Sequence, residues 1–301
     1  MKILVTGSNG LLGQKLTSLI ASRKTHQLIS TARGEMLRKE IQAEYYDLDI
    51  TDHDSVQKMV LTVRPDVIIH GAAMTQVDDC ELKQDLCWKV NVDATAYLLH
   101  AAKQTGSHFI YVSTDFIFDG TTGPLTEDAV PAPVNFYGKS KLAAEKLVMA
   151  YPGNWTIIRT VLVYGVTPEK SRSNIVLWVK NSLDSGKTIQ VVDDQFRTPT
   201  LAEDLAQGCL LAAEKGAVGI FNISGSELLT PYQIALETAD VFALDRSKIV
   251  RTDSGKFKQP ALRPLRTGFV IEKAKSVLGY LPHTFKAGLQ EVKNQLALLE
   301  D

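Results

Sequence analysis

Tyr137 and Lys141 stand four residues apart in the run NFYGKSKLAAEKLV, Asn135 to Val148. The Leu, Ala and Val positions that follow read as helix, and this spacing puts both side chains on one helical face. An ammonium beside a phenol favours the phenolate. It is expected to lower the Tyr137 pKa from about 10 toward working pH, making the hydroxyl a proton donor or acceptor for a carbonyl oxygen. An ordinary surface Tyr and Lys share the same spacing, so the distinction rests on Ser113-Thr114-Asp115 upstream. There an apolar strand ends, at the edge where ligands collect in a doubly wound sheet, and a hydroxyl can orient the same carbonyl. Turn hydrogen bonding is the common use of such hydroxyls taken singly. All three groups in this order, downstream of a glycine loop, favour chemistry.

The glycine loop is Gly7, Gly10 and Gly13, spaced GxxGxxG after a first strand and at the start of a helix. Glycines there permit a tight turn and close approach of a pyrophosphate to backbone N–H groups, with the helix N-terminus facing the phosphates. An NAD site usually carries Asp or Glu at the end of the second strand; this chain has Thr31, Ala32 and Arg33. The Arg33 fork of donors attracts a 2′-phosphate, which favours NADPH, while Glu35 close by keeps NADH open. Asp49 and Ile50 suit an adenine ring through one acceptor and one apolar contact, although Asp is also a preferred helix cap. Gly71, Ala72 and Ala73 are small enough to let a cofactor lie against the backbone.

These groups need a scaffold, and the first half supplies one by rhythm. Lys2–Thr6, Gln27–Ala32, Val67–His70 and His108–Ser113 read as strands; Leu11–Ser22, Ser55–Val63 and Leu82–Gln104 carry apolar residues at helical spacing. That alternation predicts an α/β fold, a Rossmann-type doubly wound parallel sheet with right-handed crossovers. Past the strand Trp155–Thr160 the pattern loosens into a helix at Ser173–Ser185, a short strand at Ile189–Val192, and helices at Ala202–Glu214, Pro231–Phe242, Glu272–Leu278 and Phe285–Leu299. The expected division is a dinucleotide-binding domain over 1–165 and a smaller C-terminal substrate-binding lobe over 166–301, with the two interleaved.

The chain has 301 residues, 45% hydrophobic, with 33 basic against 34 acidic side chains. That balance calls for neither nucleic acid nor an anionic membrane surface, and a small diffusible ligand is expected. No apolar run approaches the roughly 20 residues of a membrane span, and the opening MKILVTGSNG is unlike a secretory signal, so a cytoplasmic location is expected. Cys80, Cys87 and Cys209 have no metal-ligand spacing and read as structural thiols. No HExxH-like or paired-ligand spacing indicates an active-site metal.

Taken as an ordered series, GSNGLLG (7–13), AAMTQVDDCE (72–81), VNVDAT (90–95), YVSTDFIFDG (111–120), YGKSK (137–141), RTVLVYG (159–165) and DQFRTPT (194–200) resemble the dTDP-4-dehydrorhamnose reductase family of extended short-chain dehydrogenases. The likeness covers nearly the whole chain. It implies Thr114, Tyr137 and Lys141 as a catalytic triad, with hydride passing from NADPH to the C4 ketone of a dTDP-linked 6-deoxyhexose while Tyr137 supplies the proton. By the same resemblance Lys141 holds the nicotinamide ribose, Asn91 supports the site, and Leu11 and Leu12 join the cofactor-binding set. Asp115, Arg197 and Arg263 become candidates for contacting the sugar nucleotide, with Thr75 and Phe116 beside them; surface ion pairing is the ordinary alternative for the arginines.

Phe116 stands where the family often has Tyr, and Val161-Leu162 where it often has Ser-Trp. Both changes fall where the sugar should sit, and both bear on which hexose is held. A related dehydratase carries an acid after Thr-Asp, where this chain has Phe116. An epimerase with retained NAD and a non-catalytic NADP-binding subunit, like the regulatory subunit of methionine adenosyltransferase, remain alternative readings. A nucleotide-sugar substrate is the expected partner, with a homodimer left open.

Overall fold

The computed structural model describes residues 1–168 and 174–299. Short runs rich in Ile and Val form β1 (Lys2–Thr6), β2 (Gln27–Ala32), β3 (Glu44–Asp47), β4 (Val67–His70), β5 (His108–Thr114) and β6 (Trp155–Thr160). Two-residue β7 (Val163–Tyr164), then β8 (Ile189–Val192), β9 (Thr200–Leu201), β10 (Gly219–Asn222) and β11 (Ile249–Thr252) follow. The large sheet has seven strands in the order β10-β6-β5-β4-β1-β2-β3, every pair parallel. The order reverses between β1 and β4, and the crevice at that switch point is where such sheets take ligands.

Both faces of the sheet are covered. Ile3 and Val5 of β1 pack with Leu16 and Ile20 of α1 (Leu11–Arg23). Leu4 points the other way, toward Val56 and Val60 of α2 (His53–Val63). Alternate residues therefore serve two cores, and the strands read as unbroken apolar runs for that reason.

One expected helix, Leu82–Gln104, is broken. The chain forms α3 (Val77–Leu82) and α4 (Gln84–Trp88), passes through a π turn at Lys89–Asp93, and continues as α5 (Ala94–Thr105). Lys83, at φ −127° and ψ 58°, makes the first break. The π turn carries Asn91, whose side chain is occupied with a neighbouring loop. Next come α6 (Phe136–Met149), which lies against β5, and α7 (Ile175–Asp184), capped by Asn174; the expected start of α7, Ser173, lies outside the described residues.

α8 (Ala202–Glu214) and β10 belong to the C-terminal half yet complete the large sheet, with α8 packed on α1. Both halves of the chain thus build the large sheet. A smaller cluster of α7, α9 (Pro231–Phe242), α10 (Phe285–Ala297) and the β8/β11 pair has its own core around Val176, Val179, Ile189, Ile234 and Leu289. The expected helix at Glu272–Leu278 runs largely as a π turn, Ala274–Leu278.

Candidate active site

The turn after β1 is shaped by glycine. Gly7 adopts φ +74°, and a Cβ on it would lie 2.9 Å from the Ala72 backbone. A Cβ on Gly13 would lie 2.2 Å from the Gly7 carbonyl oxygen, so helix and turn can meet only without side chains. α1 starts after Gly10 with no side-chain cap and no acid in its first turn, leaving free N–H groups and a positive dipole end. Leu12 packs against the core and Leu11 approaches Gly165.

A cavity of about 280 Å³ gathers Gly7, Gly10, Arg33, Asp49, Ile50, Gly71, Ala72 and Ala73. Thr75, expected beside the substrate, lines this cavity instead, because it ends the loop that leaves β4. Asn9 and Val90 also line it and escaped the sequence reading. Asn9 donates to the Glu35 carbonyl (2.9 Å) and accepts from the Leu37 N–H (3.1 Å), pinning the loop after β2. Only its place inside the glycine turn could have marked it.

Arg33 is exposed at the cavity wall, while the Glu35 carboxylate pairs with Lys39 at 2.9 Å on the surface. Asp49 accepts from the Thr51 N–H (2.9 Å) and hydroxyl (2.8 Å), bonds that hold its carboxyl below the usual range. Ser8 Oγ, in the glycine turn, is buried without a hydrogen-bond partner. Free helix N–H groups, an orphaned hydroxyl and a cradle that a Cβ would fill fit a dinucleotide phosphate.

Thr114 ends β5, and Tyr137 and Lys141 follow one another by a turn of α6. Asn135 starts that helix by accepting from the Gly138 N–H at 2.8 Å. Gly138 presses on the β5 end: a Cβ there would lie 2.0 Å from the Phe116 carbonyl oxygen. This close approach sets Tyr137 beside the end of β5, near Thr114. Lys141 Nζ donates to the Val112 carbonyl at 2.8 Å and sits 4.1 Å above the centre of the Tyr111 ring. Ser113 Oγ is buried without a partner.

Burial reverses the expected direction for the phenol. Desolvation holds the Tyr137 hydroxyl well above its usual pKa, partly offset by Thr114, and draws Lys141 down to about 7. A phenol that keeps its proton at neutral pH is in the form needed to donate it.

Asn91, expected to support the site and counted with the cofactor-binding set, makes four internal bonds with its side chain. Its oxygen accepts from the Met74 N–H (2.8 Å), and its nitrogen donates to the Met74 carbonyl (3.0 Å), Ser140 Oγ (3.0 Å) and Cys87 Sγ (3.4 Å). It ties the loop lining the first cavity to the residue beside Lys141. Cys80 and Cys87, both buried, pack with Tyr137; Cys87 Sγ donates to Ser140 Oγ at 3.4 Å, and the neighbouring Cys80 draws the Cys87 thiol down to about 7. Cys209 is buried in the main core.

A second cavity, about 550 Å³, opens beyond Phe116, whose ring centre is 5.8 Å from that of Tyr137. Leu162, at φ +39°, and Trp178, Gln190, Gln195, Phe257, Gln259, Arg197 and Arg263 line it with Phe116. Most of these come from distant segments and carry no motif. Arg197 is buried and spends its guanidinium on the carbonyls of Phe196 (2.7 Å), Leu265 (3.1 Å) and Pro264 (2.6 Å). Arg263 is engaged by both carboxylate oxygens of Asp78. Asp115 is buried, bonded to Thr114 and Thr267, and burial raises its pKa. Among the described residues no three His, Cys, Asp or Glu side chains are grouped to hold a metal ion, and no helix is long and apolar enough to cross a membrane.

The family model described as the RmlD substrate binding domain matches residues 1–298. The crystal structure of a dTDP-4-dehydrorhamnose reductase from Clostridium acetobutylicum is similar with a TM-score of 0.88 and 31% identity, over 99% of this chain and 100% of that one. A dTDP-4-dehydrorhamnose reductase from Bacillus anthracis, solved in complex with NADP, gives 0.84 and 26%, over 98% and 99%. Methionine adenosyltransferase 2 subunit beta of Pongo abelii is 32% identical over 253 residues, 82% of this chain and 74% of that protein. A family match over almost the whole chain, on a parallel sheet with this glycine turn at its switch point, makes the protein a member of the RmlD/dTDP-4-dehydrorhamnose reductase family, NAD(P)-binding oxidoreductases of the extended short-chain dehydrogenase group.

Proposed function

We propose that the protein reduces the C4 ketone of a dTDP-linked 6-deoxyhexose with NADPH, Tyr137 giving the proton. The observation that carries this reading is the buried Tyr137 beside Thr114 at the end of β5, with Lys141 a turn away on α6, between two cavities of different character. The first cavity, lined by backbone and Arg33, suits a dinucleotide with a 2′-phosphate. The second, with aromatic and amide side chains, suits a sugar nucleotide.

The bound nicotinamide would supply the hydride. Gly7, Gly10 and Gly13 would hold its pyrophosphate, Asp49 and Ile50 the adenine, and Arg33 the 2′-phosphate. Tyr137 hands its proton to the oxygen that gains negative charge, and Thr114 orients that oxygen. Donation leaves a buried phenolate, which an ammonium at Lys141 stabilises across one helical turn.

Sugar-dependent NADPH oxidation by the purified protein, with dTDP-4-keto-6-deoxyhexoses and with NADH and no-sugar controls, tests the proposal. Turnover is expected with NADPH preferred; silence with every sugar despite measurable NADPH binding sinks it. The likeness to methionine adenosyltransferase 2 subunit beta supports a second reading, a non-catalytic NADP-binding subunit. Co-purification of an adenosyltransferase together with that silence would favour it.

A further inference from the structure

Among the described residues, the second cavity is lined by two guanidinium groups, Arg197 and Arg263, and by no carboxylate. An open cavity of about 800 Å³ that shares Arg263 with it takes in Asp119 and Asp194. An anion held by Arg263 is therefore better placed in the second cavity. Arg197 spends its donors on carbonyls, which leaves Arg263 as the group to hold one.

A guanidinium carries five N–H donors in a rigid fork. Nη1 of Arg263 gives one to Asp78 and one to the Ala261 carbonyl at 2.7 Å, and Nη2 gives one to the second Asp78 oxygen at 2.8 Å. The Nε–H and the other Nη2–H are left, two parallel donors along one edge, which is the arrangement that grips a phosphate in bidentate fashion. Asp78 is not part of the cavity lining, so it holds the guanidinium without standing in the way of a ligand.

The same carboxylate accepts from the Ala261 N–H at 3.2 Å. Further along α3, Glu81 accepts from the Phe136 N–H at 2.9 Å. Asn135 closes a ring by donating to the Leu262 carbonyl at 2.7 Å. Three segments remote in sequence, 78–81, 135–136 and 261–263, are joined pairwise in this way. Tyr137 follows directly on one corner and Arg263 stands on another, so the ring fixes the span between the proton donor and the guanidinium.

We propose that Asp78 is a positioning residue that aims the free edge of Arg263 at the diphosphate of the sugar nucleotide, and that the ring through Glu81 and Asn135 sets the reach from that anchor to Tyr137. This inference deepens the reading above and rests on its nucleotide-sugar substrate. A residue that aims an anchor remote from the reacting carbon acts on binding, so nucleotide affinity and KM should move while kcat stays.

The experiment is a calorimetric titration with dTDP, run beside sugar-dependent NADPH oxidation, NADPH binding and the thermal midpoint. Asp78→Asn is expected to weaken dTDP binding about 10-fold, the scale of one charge-assisted hydrogen bond, and to raise the sugar-nucleotide KM in step, with kcat and NADPH affinity within about 2-fold of wild type. Arg263→Lys keeps the charge and loses the fork; it should show the same split, which keeps the test alive if Asp78→Asn does not fold. In the double variant Asp78→Asn should cost less than about 2-fold more, because the fork it aims has gone. Tighter dTDP binding in Asp78→Asn would mean that the carboxylate masks Arg263, and unchanged binding or full additivity would mean that it does not aim it. Each of these outcomes, like a wild-type protein that binds no dTDP, overturns the proposal. Weakened dTDP binding in both single variants, beside a wild-type protein that reduces no sugar, upholds the role of Asp78 and removes the reductase reading alone.

Discussion

The first cavity takes its form largely from backbone within a few short segments, the 7–13 turn, the end of β2, the 48–51 stretch and the 71–75 loop, and Gly7 and Gly13 are excluded from change by direct collision. The second cavity takes its form from side chains that follow the ends of β5 and β6 and arrive from α7, β8, the 195–197 stretch and the 254–263 segment. Backbone recognition suits a ligand part common to many enzymes. Side-chain recognition can be altered one residue at a time, so under the proposed function the choice of hexose would be made there.

The comparison breaks most sharply at the junction of the two. Tyr137→Phe should cut kcat by about 100-fold or more and leave NADPH binding largely intact, because it removes a positioned acid without touching the cleft. Sugar-dependent oxidation and a fluorescence titration of NADPH check this together; near-normal turnover would take Tyr137 out of the mechanism.

Acid should act at the end of β4, next to the loop that lines the first cavity. His70, at the end of β4, is buried between the hydroxyls of Thr6 (2.7 Å) and Thr95 (3.1 Å), and burial lowers its pKa to about 3. Its folded value lies below the ordinary 6.5, so its contribution is fully present above about pH 6.5 and is lost as pH falls toward 3. By pH 5 the loss should reach about 2 kcal/mol. Urea unfolding at pH 7 and pH 5 measures it, and His70→Gln should flatten that dependence; an equal slope in the variant would show that other groups carry it.

Gly7→Ala tests the backbone side of the comparison. The positive φ and the 2.9 Å approach to Ala72 predict a loss of NADPH affinity of about 10-fold and a lower thermal midpoint. Unchanged affinity would mean that the turn yields easily. On the side-chain side, Leu162→Trp or Phe116→Tyr should redistribute kcat/KM among hexoses by a few-fold to about 10-fold with NADPH affinity unmoved. A uniform change across all sugars would show that these positions shape the cavity without selecting its occupant.

Arg33→Ala gives the smallest effect, a few-fold loss of preference for NADPH over NADH, since an exposed guanidinium is screened by solvent. Equal affinities before and after would leave Arg33 a solvated surface charge.

Several elements were legible from residues alone. The strands at 2–6, 27–32, 67–70 and 155–160 and the helices at 202–214 and 231–242 coincide with the predicted spans, because buried parallel strands and amphipathic helices leave strong periodic patterns. β3 was missed: its sequence EYYD lies at the sheet edge and is only half-buried. β10 was missed because four residues opening on Gly219 carry too short a pattern. The π turn at Lys89–Asp93 was read as ordinary helix, since no local propensity announces the extra residue that presents Asn91.

The sequence by itself determined the alternating α/β rhythm, the glycine turn at a strand-to-helix junction, and the order of Thr114, Tyr137 and Lys141. Those features are local, and local spacing is what a chain displays directly. Tertiary structure decided that Arg197 is buried against carbonyls and that Arg263 is held by Asp78, 185 residues away. It decided that Thr75 faces the first cavity, and that Tyr137 is pushed toward its protonated form by burial. Charge pairing and desolvation depend on what is packed nearby in space, and spacing along the chain does not encode that.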